Sequence, residues 1–167
     1  MNEARGCFDQ IAHVPAILVL MRFGVTYTAA TTLFTILQKS RHRIMTGFGV
    51  LEPDYGDEPI PISGIGQGNR LGPTLWALIS TVIILMCHRA GHGITCVSAI
   101  SKKSFSFLGF SFVDDADLAQ TADNINSPGE ELIPDFQAFM NRWNGGIRAS
   151  GGLIATNKTR WFLVDFK

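Results

Sequence analysis

Charge is scarce in this sequence, and neither sign is in excess. Lysine and arginine together number 14, as do aspartate and glutamate, so the formal net charge is zero. Charged residues form 17% of the 167-residue chain, whereas apolar residues form 46%. Zero net charge removes the global basic signal that is typical of nucleic-acid-binding proteins. The apolar excess predicts that a partner, or further parts of a longer chain, covers some of the surface.

Cysteine is also scarce. Cys7, Cys87 and Cys96 are odd in number and far apart, which excludes a disulfide framework and a cysteine-based zinc site. A reducing compartment is therefore expected. The N-terminus lacks the basic start and apolar run of a secretory signal, so we expect an intracellular protein, in the cytoplasm or the nucleus.

Long hydrophobic runs are almost absent. The longest stretch without a charged side chain, residues 71–87, includes Gly72 and Pro73. It falls short of the roughly 20 apolar residues that cross a bilayer. A buried helix is the better interpretation, a membrane-associated helical protein is the weaker alternative, and no membrane is expected among the partners.

Apolar periodicity predicts four helices, at residues 11–23, 28–39, 75–86 and 132–143, with Gly145 and Gly146 ending the last. The third follows a glycine-rich turn at 64–73. Extended segments are predicted at 41–50 and 60–65, which would form a hairpin, and at 153–155 and 161–164, which would form a closing hairpin around Lys158. The pattern predicts an α+β fold, with an antiparallel sheet and helices packed on one face.

The segment 107–118 is the most informative. Phe110, Ser111 and Phe112 alternate aromatic and small side chains, which predicts a strand with one buried face. Asp114 and Asp115 follow at once, at the expected tip of a tight hairpin. Adjacent carboxylates repel each other, so a cation is expected beside them, and oxygen ligands favour Mg²⁺. Taken alone, the pair is more typical of an ordinary solvated turn than of a metal site.

Several short motifs occur in the order and spacing of one family. They are Gly66-Gln67-Gly68 with Gly72-Pro73, Phe112-Val113-Asp114-Asp115, Gly151-Gly152 with Lys158, and the opening Glu3-Ala-Arg-Gly-Cys-Phe-Asp9. Together they span nearly the whole chain. The sequence resembles the palm of a reverse transcriptase of the retroelement type, and the resemblance implies one antiparallel-sheet polymerase palm over residues 1–167.

The resemblance implies two-metal nucleotidyl transfer, in which deoxynucleotides are added to a primer 3′-hydroxyl. Asp114 would be the principal metal ligand, Asp115 a weaker one, and Glu3 the ligand from the first strand. Two Mg²⁺ ions are the implied cofactors, with Mn²⁺ as the alternative. The implied partners are an RNA or DNA template with its primer, deoxynucleoside triphosphates and the remaining polymerase segments.

Further roles follow from the same resemblance. Phe8 would lie beneath the sugar and exclude a 2′-hydroxyl, although a plain core phenylalanine fits the local sequence as well. Lys158 would lie near the triphosphate and protonate the leaving pyrophosphate. The remaining nucleotide- or template-binding residues are Gln67, Gly68, Arg70 and Val113, for which a flexible loop and a surface arginine are the alternatives.

The sequence also departs from the family. Glu3 stands where the family has aspartate, and the extra methylene displaces the carboxylate; displacement of about 1 Å costs roughly 100-fold in rate. Alternatively, Asp9 is the acid that matters. No fingers region precedes the first strand and no thumb follows the last, so we expect this chain alone to be weak or inactive. The alternative function is a non-catalytic remnant of a reverse transcriptase.

Overall fold

The computed structural model describes residues 2–52, 64–66, 68–122 and 127–164, and it leaves out the side chains of residues 2, 3 and 5. The described part of the chain contains four α-helices and eight strands. They are β1 (Asn2–Arg5), α1 (His13–Arg22), α2 (Tyr27–Gln38), β2 (Met45–Thr46), β3 (Gly49–Val50), α3 (Leu71–Arg89), β4 (Ile94–Val97), β5 (Ser104–Phe107), β6 (Gly109–Phe112), β7 (Asp115–Leu118), α4 (Leu132–Ala149) and β8 (Leu153–Ile154). A 3₁₀ turn, Gly129–Glu131, leads into α4.

A four-stranded antiparallel sheet, ordered β6-β7-β1-β8, is the largest of the described sheets. Two separate hairpins, β2–β3 and β4–β5, complete the strands of the described residues. Neighbouring β6 and β7 are joined by a tight turn, whereas β1 pairs with strands more than a hundred residues away. The mixture of helices with small antiparallel sheets agrees with the predicted α+β class.

One face of the sheet packs against α3 and α4. Ala4 of β1 and Ala116 of β7 are buried, and they border the same small interior gap as Trp76, Trp143 and Ile147 from the two helices. Small residues on the strands allow these large side chains to approach the sheet closely. The core therefore lies between the sheet and α3–α4, and the β6–β7 turn packs against it.

The first two helices agree closely with the predicted segments. The side-chain oxygen of Thr26 accepts a hydrogen bond from the Ala29 N–H and caps α2. Phe34 of α2 is almost fully buried and lies 4.7 Å, between ring centroids, from His13 at the start of α1. The two helices thus form an antiparallel pair joined by a short connection.

The predicted face of α3 is partly wrong. The spacing of apolar residues in the sequence predicts that Val82, Leu85 and Met86 share one helix face with Leu75 and Ile79. Their side chains are 36%, 47% and 37% exposed, whereas Leu75 and Ile79 are buried. The face that packs into the core carries Gly72, Leu75, Trp76, Ile79, Ile83 and Cys87. A helix that is apolar on all sides has no polar face to indicate its orientation, so neighbouring elements decide which residues are buried.

The predicted end of α4 is also wrong, because the helix continues through Gly145 and Gly146 to Ala149. A Cβ atom on Gly146 would lie 2.6 Å from Cγ2 of Ile83. Glycine at this position therefore allows α3 and α4 to cross closely, rather than ending the helix. The helix ends at Ser150, and Gly151 follows with a φ of +97°.

The hairpins predicted from residues 41–50 with 60–65 and from residues 153–155 with 161–164 differ from the observed pairings. β8 pairs with β1, with Ala4 opposite Ile154, whereas residues 161–164 form no strand. Near the middle of the chain, Met45–Thr46 pairs with Gly49–Val50 around a turn at 47–48. The partner segment that was predicted at 60–65 lies mostly outside the described residues. Long-range pairing replaced the local hairpin because β1 offers an unpaired edge.

In the described part of the chain, α3 is long and apolar enough to cross a membrane, judged by length and composition alone. The core helix of a folded protein meets the same criteria. Here the buried side of α3 packs on the sheet and on α4. A single helix of this kind is weak support for a membrane span.

Candidate functional site

The acidic pair lies at the tip of the β6–β7 hairpin, as the sequence predicted. Val113 and Asp114 form a two-residue turn, and Asp115 is the first residue of β7, opposite Phe112. Both aspartates are half-buried. A two-residue turn between antiparallel strands places consecutive residues close together at one end of the sheet. The two carboxylates therefore lie next to each other at the turn of the hairpin, at one end of the sheet.

The turn has an unusual backbone conformation. Val113 has a φ of +55°, and only one other non-glycine residue of the described chain, Lys102, has a positive φ. A β-branched residue in this region is strained, and such residues persist only where the surroundings hold them. The indole N–H of the buried Trp76 donates a hydrogen bond to the Val113 carbonyl. A core helix thus holds the strained turn in place.

The first strand brings a third acidic position to this turn. Asn2 lies opposite Ala116 and Glu3 lies opposite Asp115 in the antiparallel register of β1 and β7. The Ala4 N–H donates to the Asp114 carbonyl at 2.9 Å, which extends the pairing to the turn. Directly opposed residues in a sheet have Cα atoms about 4.5–5.5 Å apart. Glu3 is therefore a close backbone neighbour of Asp115.

The chemistry of the donors suits a hard cation. The described side chains near the turn that carry negative charge are carboxylates, and carboxylate oxygen is the ligand that Mg²⁺ prefers. Burial, followed by the negative charge of Asp114, raises the pKa of the Cys7 thiol to about 11. Cys7 therefore stays protonated at neutral pH and does not compete as a thiolate ligand. Among the described residues, no group of three metal-ligating side chains is found, but the side chain of Glu3 lies outside that set.

The turn after β1 brings Phe8 to the start of α3. The Phe8 carbonyl accepts a hydrogen bond from the Ile65 N–H at 2.9 Å, and its half-buried ring would lie 3.3 Å from a Cβ atom on Gly72. Gly64 approaches still more closely, since a Cβ atom there would lie 2.3 Å from the Asp9 carbonyl oxygen. The glycine-rich segment and the first strand, which are distant in sequence, therefore meet.

Not every predicted site residue is brought to this point. Gly68, with a φ of +88°, and Arg70, at the N-terminal end of α3, are both exposed, while Gln67 lies outside the described residues. Lys158 is exposed in the turn after β8, and β8 flanks β1 on the side away from β7. The roles of these four residues in binding or catalysis stay predictions, as does the alternative role of Asp9, which is exposed.

The expectation for the faces of β6 was wrong. Phe110 and Phe112 were expected on a buried face, yet they are 75% and 81% exposed. They share a sheet face with Asp117 and Asp115, their cross-strand partners, whereas Ser111 lies opposite the buried Ala116. Alternation identified the strand correctly, but no side chain of β6 is fully buried: Ser111 is exposed as well, and the buried residue of the hairpin is Ala116 on β7.

Sequence reasoning missed two residues that build the site, Trp76 and Cys7. Trp76 lies within an apolar helix, and the only available signal was the N–H group that a buried tryptophan must satisfy. Cys7 was considered as a disulfide or zinc candidate and as part of the opening motif, and no role at the site was assigned to it. Its burial next to Asp114 follows from the pairing of β1 with β7, which neither segment indicates by itself.

No family model matches this chain, and a search of curated proteins finds no matching relative.

Proposed function

We propose that this chain is the palm portion of an RNA-directed DNA polymerase of a retroelement, which adds deoxynucleotides to a primer 3′-hydroxyl. The proposal combines the ordered motifs of the sequence with one structural observation. That observation is the register of β1 and β7, in which Glu3 lies opposite Asp115 and the Ala4 N–H bonds to the Asp114 carbonyl. Two-metal nucleotidyl transfer uses carboxylates that converge on one site, and this register would bring them together from segments that are distant in sequence.

The strained turn also supports the proposal. Left-handed conformations at β-branched residues are concentrated at functional sites, because elsewhere the cost has no compensation. Val113 adopts such a conformation between two strands, and the Trp76 indole holds its carbonyl. The turn fixes the backbone of Asp114 and Asp115 against β1. We infer that its role is to position the two carboxylates.

In this proposal, Asp114, Asp115 and Glu3 hold Mg²⁺, or Mn²⁺ as the alternative, and the bound ions would activate the primer hydroxyl and stabilise the departing pyrophosphate. Phe8 lies between the glycine-rich segment and the end of β1, where it would limit the space available to a sugar 2′-hydroxyl. The ring packs against the start of α3, since a Cβ atom on Gly72 would lie 3.3 Å from it. Gln67, Gly68, Arg70 and Val113 complete the proposed set as nucleotide- or template-contacting residues, and Lys158 would protonate the leaving pyrophosphate.

Primer extension tests the proposal. The chain is incubated with an RNA template, a DNA primer, deoxynucleoside triphosphates and Mg²⁺, alongside a Glu3→Asp variant. Because the glutamate displaces its carboxylate by about one methylene, we expect the variant to extend the primer up to ~100-fold faster. Asp114→Ala should abolish extension by both. Asp135→Asn, a change at an exposed carboxylate in the first turn of α4, is the matched control and should have no effect.

The alternative of a non-catalytic remnant makes a different prediction. It predicts no incorporation by the chain or by Glu3→Asp, even though circular dichroism and cooperative thermal unfolding show both to be folded. Extension that persists in Asp114→Ala would contradict the assignment of the site. Extension that is lost equally in Asp135→Asn would indicate a general effect of charge rather than a role of the hairpin.

A further inference from the structure

A row of phenylalanines leads from the β4–β5 hairpin to the acidic turn. Phe105 and Phe107 alternate along β5, and Phe110 and Phe112 alternate along β6. The rings of Phe105 and Phe107 are stacked, with centroids 6.1 Å apart and planes 16° apart. Phe107 and Phe110 follow at 5.7 Å and 44°. These four residues are here called the aromatic row, and successive rings are neighbours from Phe105 to Phe110.

Three of the four rings face solvent. Phe105 is 57% exposed, Phe110 75% and Phe112 81%, whereas Phe107 is half-buried. Phe112 lies directly opposite Asp115, so the row ends beside the proposed catalytic carboxylates. Exposed aromatic surface of this extent is uncommon in a folded protein unless it binds something.

The two ends of the row differ in charge. Residues 59–113 contain no aspartate or glutamate, and their lysines are Lys102 and Lys103. Lys102 and Lys103 are exposed and connect β4 to β5, next to the Phe105 end of the row. At the other end, Asp117 lies opposite Phe110 and Asp115 lies opposite Phe112. The row is therefore basic at Phe105 and acidic towards the β6–β7 turn.

We propose that the aromatic row binds a single-stranded nucleic acid, with bases stacked on Phe105 and Phe110 and phosphates near Lys102 and Lys103. Stacking on aromatic rings beside basic side chains is the general mode of sequence-tolerant single-strand binding. Lys102 and Lys103 beside Phe105 favour this partner over a purely apolar protein surface, because the two cations would gain no favourable contact with such a surface. Taking the bound strand to be a polymerase template rests on the proposed function, whereas the binding itself does not.

Fluorescence anisotropy with a fluorescein-labelled oligothymidylate tests the row directly. The measurement uses the whole chain in EDTA without nucleotides, so that neither metal binding nor catalysis contributes. The double variant Phe105→Ala/Phe110→Ala should raise the Kd by about 5-fold or more for each ring removed. Phe48→Ala, which removes a fully exposed phenylalanine from the β2–β3 turn, is the matched control and should leave the Kd unchanged.

The lysines are tested by salt dependence. Each phosphate contact contributes about 0.7 to the slope of log K against log salt concentration for a single strand. Lys102→Ser/Lys103→Ser should therefore reduce the slope by up to about 1.4. A substitution that weakens binding without changing the slope would place the lysines away from the strand and contradict that part of the proposal.

Two results would overturn the proposal. One is equal oligonucleotide affinity of the chain and Phe105→Ala/Phe110→Ala, with both shown to be folded by circular dichroism. The other is concentration-dependent self-association that the same double variant abolishes without any change in oligonucleotide affinity, which would make the row an interface between copies. A chain that binds through the row but extends no primer would contradict only the polymerase assignment, whereas primer extension with row-independent binding would contradict only this inference.

Discussion

Two consecutive hairpins of this chain, β4–β5 and β6–β7, have opposite surroundings. The β6–β7 hairpin pairs with β1, receives a hydrogen bond from Trp76 at its turn and lies over the core. The β4–β5 hairpin pairs only with itself among the described strands, and its turn residues 99–103 are exposed. Both hairpins have a non-glycine residue with positive φ in the turn region, Val113 and Lys102. The hairpins therefore share local chemistry and differ in what supports them.

The comparison separates positioning from accessibility. A catalytic carboxylate must be held in a defined place, which requires neighbours on several sides. A surface that stacks on a flexible strand must instead be accessible and needs little support. The supported hairpin carries the acidic pair together with Phe110 and Phe112, whereas the projecting hairpin carries Phe105, Phe107 and the two lysines. The proposed aromatic row therefore extends over both hairpins, and its basic end lies on the projecting one.

The largest expected difference is in stability. Trp76→Ala removes a buried indole and leaves the Val113 carbonyl without its donor, so the free energy of unfolding should fall by about 3–5 kcal/mol. Phe105→Ala, on the projecting hairpin, should change it by no more than about 0.5 kcal/mol, because the ring is more than half exposed. Urea denaturation followed by circular dichroism measures both. Similar losses for the two variants would show that the projecting hairpin is also supported.

Glycine substitutions in the two turns should have a smaller effect. A non-glycine residue in the left-handed region costs about 1–2 kcal/mol, and glycine regains this at the expense of greater entropy in the unfolded chain. Val113→Gly should therefore stabilise the protein by about 0.5–1 kcal/mol, since valine is β-branched. Lys102→Gly should change the stability by less than about 0.5 kcal/mol. Thermal unfolding of the two variants provides the measurement, and destabilisation by Val113→Gly would show that the valine side chain supports the turn.

Cysteine reactivity gives the smallest but most direct comparison. Cys96 lies opposite Phe105 in the projecting hairpin and is half-buried, whereas Cys7 is buried near Asp114. A thiol reagent at pH 8 should modify Cys96 first and leave Cys7 and Cys87 largely unmodified, because burial raises the pKa of both to about 11. Peptide mapping after brief labelling identifies the modified residue.

The same thiols make stability depend on alkaline pH. Their pKa in the folded protein lies above the ordinary value of 9.0, so the folded state favours the protonated form. Their contribution to stability is complete below about pH 9 and is lost as the pH rises towards 11. Cys7→Ala should reduce the fall in unfolding free energy between pH 8 and pH 10. An unchanged pH dependence in Cys7→Ala would show that Cys7 is not among the groups responsible.

Local patterns predicted the helices and the β6–β7 hairpin, but they missed β4 and β5, predicted a strand at 161–164 that does not form, and predicted strand partners poorly. The positions of α1, α2 and the β6–β7 hairpin follow from apolar spacing and from the turn at Val113 and Asp114. The extent of α4 was underestimated, because Gly146 allows α3 to pack closely against α4 and does not end the helix. The sequence of α4 alone does not indicate that contact. The polymerase palm itself stays a proposal, since mixed helices and small antiparallel sheets occur in many folds.

The sequence alone determined the structural features that depend on neighbouring residues along the chain. Adjacent aspartates after an alternating strand indicate a turn, and glycines before an apolar helix indicate a close approach of the backbone. Only the tertiary structure decided that Glu3 lies opposite Asp115, that Trp76 holds the Val113 carbonyl and that Phe110 and Phe112 face solvent. The physical reason is that turns and helices depend on neighbours along the chain, whereas strand pairing and burial depend on which distant surfaces pack together.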